Sequence, residues 1–192
     1  MYETYLGSIM LLCMMHIQHL ESYLGELIMR YQLKDKLFSI GGDAMIQDAS
    51  GRDLLFVDGK AISLGRRLEI KDLQGNRLAT IQQQLIALTP TFEIHQRGGV
   101  GAKISMKLLS LRDRLKIDVP GNDDLEARGN IFHYEYGIFR GGREVAHISK
   151  AWIALSDTYG IDIDDDQDQV LILACAVVID EILDMRQKAD KD

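Results

Sequence analysis

Ten consecutive apolar residues near the C-terminal end, Val170 to Ile179 (Val-Leu-Ile-Leu-Ala-Cys-Ala-Val-Val-Ile), constrain this chain more than any other feature. Asp166, Gln167 and Asp168 precede the run, and Asp180, Glu181 and Asp184 follow it. A helix that is apolar on every side must be buried on every side. A bilayer span needs roughly 20 apolar residues, so the run is too short to cross a membrane. Almost everything before it reads as short β-strands. One fully buried helix after many strands predicts a barrel or sheet wrapped around that helix.

The strand reading rests on alternation and turn chemistry between Tyr31 and about Ile163. The predicted segments are Ala44–Gln47, Leu54–Val57, Leu68–Lys71, Leu78–Gln82, Thr91–His95, Ala102–Met106, Leu115–Val119 and Phe132–Phe139. Between them stand Asp48-Ala-Ser-Gly51, Asp58-Gly59, Gln74-Gly75-Asn76, Gly98-Gly99, Pro120-Gly121-Asn122 and Gly141-Gly142. Gly and Asn tolerate the positive φ that hairpin turns need. Pro90 and Pro120 sit at segment edges, where a missing N–H does no harm. Asp48-x-x-Gly51-x-x-Leu54 and Asp72-x-x-Gly75-x-x-Leu78 echo one another, with a looser third copy through Arg140-Gly141-Gly142-Arg143. They read as similar hairpin turns in a meander, not a solenoid.

At 192 residues and 46% hydrophobic, the chain has the size and content of one globular domain. A formal net charge of −7 argues against nucleic-acid binding, which needs a basic footprint. Cys13 and Cys175 lie in apolar surroundings and read as buried reduced thiols, which fits a reducing, cytoplasmic compartment. Residues 1–28 hold four Met and no Lys or Arg. They read as a helical extension outside a domain that starts at Met29. A signal peptide or anchor is the weaker reading, because the positive n-region is missing. The domain is expected over residues 29–187, with its helix at about 167–185 and a disordered tail at 188–192.

No nucleophile elbow, P-loop or dinucleotide fingerprint occurs, and His16, His19, His95, His133 and His147 are scattered. No enzymatic activity and no cofactor are therefore expected. Two clusters remain. Asp162, Asp164 and Asp166 offer closely spaced oxygen ligands for Ca²⁺, although the EF-hand glycine and terminal glutamate are missing. Asp166 or Asp168 is also placed to cap the helix, with neighbouring carboxylates favouring its positive N-terminal end, and the rest of the stretch reads as a solvated loop. Between Arg97 and Lys116, a local basic surplus comprises Lys103, Lys107, Arg112, Arg114 and Lys116. Strand alternation puts Arg112, Arg114 and Lys116 on one face, which suits the phosphates of a lipid headgroup.

Several segments carry a resemblance. Met29-Arg30-Tyr31-Gln32-Leu33-Lys34-Asp35-Lys36 opens the domain, followed by Val57 to Gly65 (Val-Asp-Gly-Lys-Ala-Ile-Ser-Leu-Gly) and Leu68-Glu69-Ile70-Lys71-Asp72. Later come Val145 to Trp152 (Val-Ala-His-Ile-Ser-Lys-Ala-Trp), Ser156 to Gly160 (Ser-Asp-Thr-Tyr-Gly) and the helix ending at Val178-Ile179-Asp180. In order and spacing the chain resembles the LURP-one-related family, grouped with tubby C-terminal domains and phospholipid scramblases. The resemblance covers about Met29 to Leu183. It implies a closed antiparallel β-barrel of about 12 strands around a central hydrophobic C-terminal helix.

The resemblance also implies surface recognition of phosphoinositides or other anionic lipids, as in tubby domains. No tubby ligand residue aligns here. The scramblase palmitoylation cysteines are missing, and the Asp-rich stretch departs in detail from the scramblases' proposed calcium segment. The expected function is a non-enzymatic binding or scaffold module for a phosphorylated headgroup or a protein partner, peripheral to a membrane. The alternative is a scramblase-like lipid transporter. That reading needs a lipid-inserted segment, and neither the terminal helix nor residues 1–28 supplies a long uninterrupted run.

Overall fold

The computed structural model describes residues 28–34, 43–62, 65–105, 114–121, 123–133, 135–150 and 158–189. Twelve strands form in chain order: β1 Ile28–Lys34, β2 Ala44–Asp48, β3 Asp53–Ile62, β4 Gly65–Asp72, β5 Arg77–Gln83 and β6 Thr91–Gln96, then β7 Gly99–Ser105, β8 Arg114–Asp118, β9 Leu125–Asn130, β10 Glu135–Arg140, β11 Arg143–Ser149 and β12 Thr158–Asp164. Among the described residues one α-helix, α1 (Gln169–Ala189), follows them. Each strand pairs antiparallel with the next, and β1 pairs with β12, so the sheet closes on itself. Closure removes the exposed edges that an open sheet would have to protect.

Period-two alternation fills the interior. Leu33, Ile46, Val57, Leu68, Ile81, Phe92, Ile104, Ile117, Ile138 and Ile161 are all fully buried on the inner wall. Every residue from Leu171 to Leu183 is buried as well, on all sides of α1, so the barrel encloses the helix. Small residues make the fit: Ala79, Ala102 and Ala127 on the wall face the interior, and α1 carries Ala174, Cys175 and Ala176. Asp168 caps the helix, its Oδ1 accepting the Leu171 N–H at 2.9 Å. The helix runs to Ala189, past the expected end, and Lys188 pairs with Asp184 one turn back. Two residues of the expected tail are therefore helical. Of the expected extension over residues 1–28, residues 1–27 lie outside the described residues, and Ile28 is not part of a helix but the first residue of β1, paired with Asp164.

The two Asp-x-x-Gly turns are the same object. In each, the Asp Oδ1 accepts two backbone N–H groups, from Ser50 and Arg52 in one and from Gln74 and Asn76 in the other. Gly51 and Gly75 take φ of +80° and +84°. A bulge accompanies each, at Ile46/Gln47 and Ile70/Lys71. The third copy differs: Gly141 and Gly142 form a two-residue hairpin, both at positive φ.

Three expectations are corrected. Asp58-Gly59 is not a turn but lies within β3, where Gly59 pairs with Leu68. The segment Phe132–Phe139 is not one strand, because a 3-10 turn (Ile131–His133) precedes β10. The acidic stretch is not all loop, since Asp162 and Asp164 are strand positions in β12.

Candidate ligand-binding face

The exposed side of β8 and β9 gathers the expected basic residues. In β8, Arg114 and Lys116 are exposed while Leu115 and Ile117 are buried, as period two requires. Arg114 stands opposite Arg128 of β9, and Lys116 opposite Glu126. Arg128 donates through Nε to Glu126 Oε2 at 2.7 Å, and Arg114 Nη1 lies 3.5 Å from Glu126 Oε1. One carboxylate thus holds two guanidinium groups side by side. The Arg128 guanidinium also sits 4.8 Å from the centre of the Phe139 ring on β10. A cleft of about 490 Å³ opens here, lined by Arg114, Lys116, Arg128, Phe139 and the Gly141-Gly142 hairpin, with the carboxylates of Asp124 and Glu126.

The remaining expected residues are placed less favourably. Lys116 contacts Asp118 and lies 3.0 Å from Asp124. Those two carboxylates raise its pKa, and Lys116 in turn lowers that of Asp124. Lys116 is therefore compensated locally, whereas Arg114 and Arg128 share a single carboxylate. Lys103 is exposed on β7, between Glu93 and Asp118 in register, and makes no ion pair among the described residues. Lys107 and Arg112 lie outside the described residues. Arg128 and Phe139 were not legible from local pattern, because the pairing that brings them to Arg114 is set by register.

The expected calcium ligands Asp162, Asp164 and Asp166 are not assembled into a cation site. Arg30 Nε and Nη2 grip both Asp162 oxygens at 2.7 and 2.8 Å. Arg143 Nη2 lies 2.7 Å from Asp166 and 3.4 Å from Asp164. Among the described residues no three His, Cys, Asp or Glu groups converge as a metal set. Guanidinium groups hold both oxygens of Asp162 and one of Asp166. Arg30 and Asp162 face each other across the β1–β12 seam that closes the barrel.

Cys175 is a free, fully buried thiol, and burial pushes its pKa up to about 12. Cys13 lies outside the described residues. No helix among the described residues is long and apolar enough to cross a membrane.

Comparison with known proteins agrees with this architecture. The chain is 27% identical over 151 residues to the uncharacterized protein YxjI of Bacillus subtilis (strain 168), covering 79% of this chain and 91% of that one. An X-ray structure of a protein from Arabidopsis thaliana shares the fold with a TM-score of 0.62 at 13% identity, covering 82% of this chain and 93% of the other. The LURP-one-related family description matches residues 29–180. With the match spanning the closed barrel and most of its enclosed helix, the chain belongs to the LURP-one-related family.

Proposed function

We propose that this chain is a non-enzymatic binding module that recognises the phosphorylated headgroup of an anionic lipid through the Arg114–Arg128 face. The observation that carries the reading is the direct cross-strand pairing of two guanidinium groups around one carboxylate, beside an open cleft. Arg presents a planar fork of donors suited to phosphate oxygens. A phosphate entering the cleft relieves the mutual repulsion that Glu126 alone offsets. The non-enzymatic reading is supported by the interior, where helix side chains occupy the space that a substrate chamber would need. The buried thiol of Cys175 suits a reducing compartment and hence a cytoplasmic protein.

The test is calorimetric titration with soluble inositol trisphosphate. Arg114→Ala with Arg128→Ala should weaken binding at least about tenfold and flatten its salt dependence. Lys116→Ala should weaken it less, because Lys116 is already paired. Unchanged affinity in the double arginine variant would end the proposal.

A further inference from the structure

The β5–β6 connection has a property that the cleft does not use. Leu85, Ile86, Ala87 and Leu88 stand exposed in succession. Ile86 and Leu88 are 103% and 98% accessible, the two highest values among the exposed large hydrophobic residues. Consecutive large apolar side chains in water mark a surface that another phase covers. The loop is anchored at its base: the Gln84 N–H donates to the Thr91 carbonyl at 2.8 Å, and Thr91 Oγ1 donates to the Thr89 carbonyl at 3.0 Å. Leu85 packs over Gly65, where an added Cβ would lie 2.8 Å from Leu85 Cδ2. The backbone therefore holds Ile86 and Leu88 outward.

Charge complementarity says what covers them. Residues 84–90 carry no charged side chain. In register, Thr91, Ser105, Lys116 and Glu126 stand in line across β6–β9. Arg114 and Arg128 lie one step further toward the end from which the loop projects. The opposite end of the barrel, where the tight turns and the start of α1 lie, carries Asp48, Asp72, Asp118, Asp124, Asp165 and Asp166, with Arg52, Arg97 and Arg143 among them. The barrel is thus polarised: an apolar tip with basic flank at one end, and a concentration of carboxylates at the other.

We infer that the β5–β6 loop inserts Ile86 and Leu88 into the interfacial layer of an anionic bilayer, with the Arg114–Arg128 face at headgroup level and the acidic end turned away. This rests on the headgroup reading of that face and adds the docking geometry. An anionic surface attracts the basic flank and repels the carboxylate end, which orients the barrel before the apolar tip is buried.

The experiment uses the full chain and phosphatidylcholine vesicles containing phosphatidylserine, read by co-sedimentation. Ile86→Asp with Leu88→Asp should weaken vesicle binding at least about tenfold, since two side-chain burials are lost and two repelled charges gained. Its urea midpoint and its affinity for soluble inositol trisphosphate should not change. Ile86→Trp should shift its emission to the blue on vesicle addition, whereas Leu73→Trp, exposed at the acidic end, should not.

Vesicle binding by the loop variant equal to that of the unsubstituted chain overturns the inference and leaves the headgroup reading standing. So does an unshifted Ile86→Trp. Loss of vesicle binding in the loop variant, from a chain that does not bind inositol trisphosphate, supports insertion and defeats the headgroup reading. A chain that binds no vesicles overturns insertion, and the loop then reads as a protein-partner contact.

Discussion

The helix is tied to the barrel wall by an ion pair whose removal has a calculable and asymmetric cost. Arg66 of β4 donates through Nε and Nη2 to the two carboxylate oxygens of Glu181, both at 2.8 Å. The Glu181 side chain is 4% exposed and that of Arg66 24%. The carboxylate raises the Arg66 pKa, chiefly through these hydrogen bonds. Arg66→Ala strands a buried carboxylate, and breaking such a pair costs about 3–5 kcal/mol. Partial exposure of the arginine admits water to the vacated side, so the expected cost is near the lower limit, about 3 kcal/mol.

Glu181→Ala strands only a guanidinium that already reaches solvent and feels Asp184. Its expected cost is about 2 kcal/mol. Replacing both together, Arg66→Met with Glu181→Leu, removes both charges at similar volume and should return stability to within about 1 kcal/mol of the parent. Urea denaturation followed by circular dichroism measures all three, with m unchanged. The reasoning is refuted if Arg66→Ala costs under about 1 kcal/mol, or if the double variant loses as much as the two singles summed.

Two glycines should respond differently to alanine. At Gly129 (φ +128°) an added Cβ would lie 2.7 Å from the Glu135 carbonyl oxygen and 2.9 Å from Tyr136 Cα, so Gly129→Ala should prevent stable β9–β10 pairing. Gly75 (φ +84°) faces open space, and Gly75→Ala should cost only about 1 kcal/mol of backbone strain. Thermal melts compare them, and equal losses would contradict the steric argument. Asp48 is held at a pKa of about 2, below its ordinary 3.8, foremost by the hydrogen bond from Ser50. Its folded-state pKa is depressed, so the stability it contributes is present above 3.8 and is lost as pH falls through about 2. Asp48→Asn should reduce the steepness of acid destabilisation between those values, and an unaltered acid limb would refute the assignment.

Much of the wall was legible because alternation is a local signal. Ala44–Gln47, Thr91–His95 and Leu115–Val119 fall within one residue of β2, β6 and β8. Where polar residues crowd the outward positions, the signal fails. In β12, Tyr159, Ile161 and Ile163 alternate correctly, but the intervening Asp162 and Asp164 resemble a loop until Arg30 and Arg143 are seen to hold them. The cleft divided in the same way. Arg114 and Lys116 could be placed together by period two within one strand. Arg128 and Phe139 could not, because they reach Arg114 only through the β8–β9 and β9–β10 registers.

By itself the sequence determined that the last helix is buried on every side and that strands surround it, since an unbroken apolar run leaves no face for water. Family resemblance added the strand number. Only the tertiary structure decided which strands close the barrel, which carboxylates meet which arginines, and which apolar loop is left outside. Those outcomes depend on pairing between residues far apart in the chain: Arg30 with Asp162, Arg66 with Glu181, Arg114 with Arg128. A periodicity fixes the direction of a side chain, but its neighbour across the sheet is set by register, and a one-residue slip would change every such neighbour.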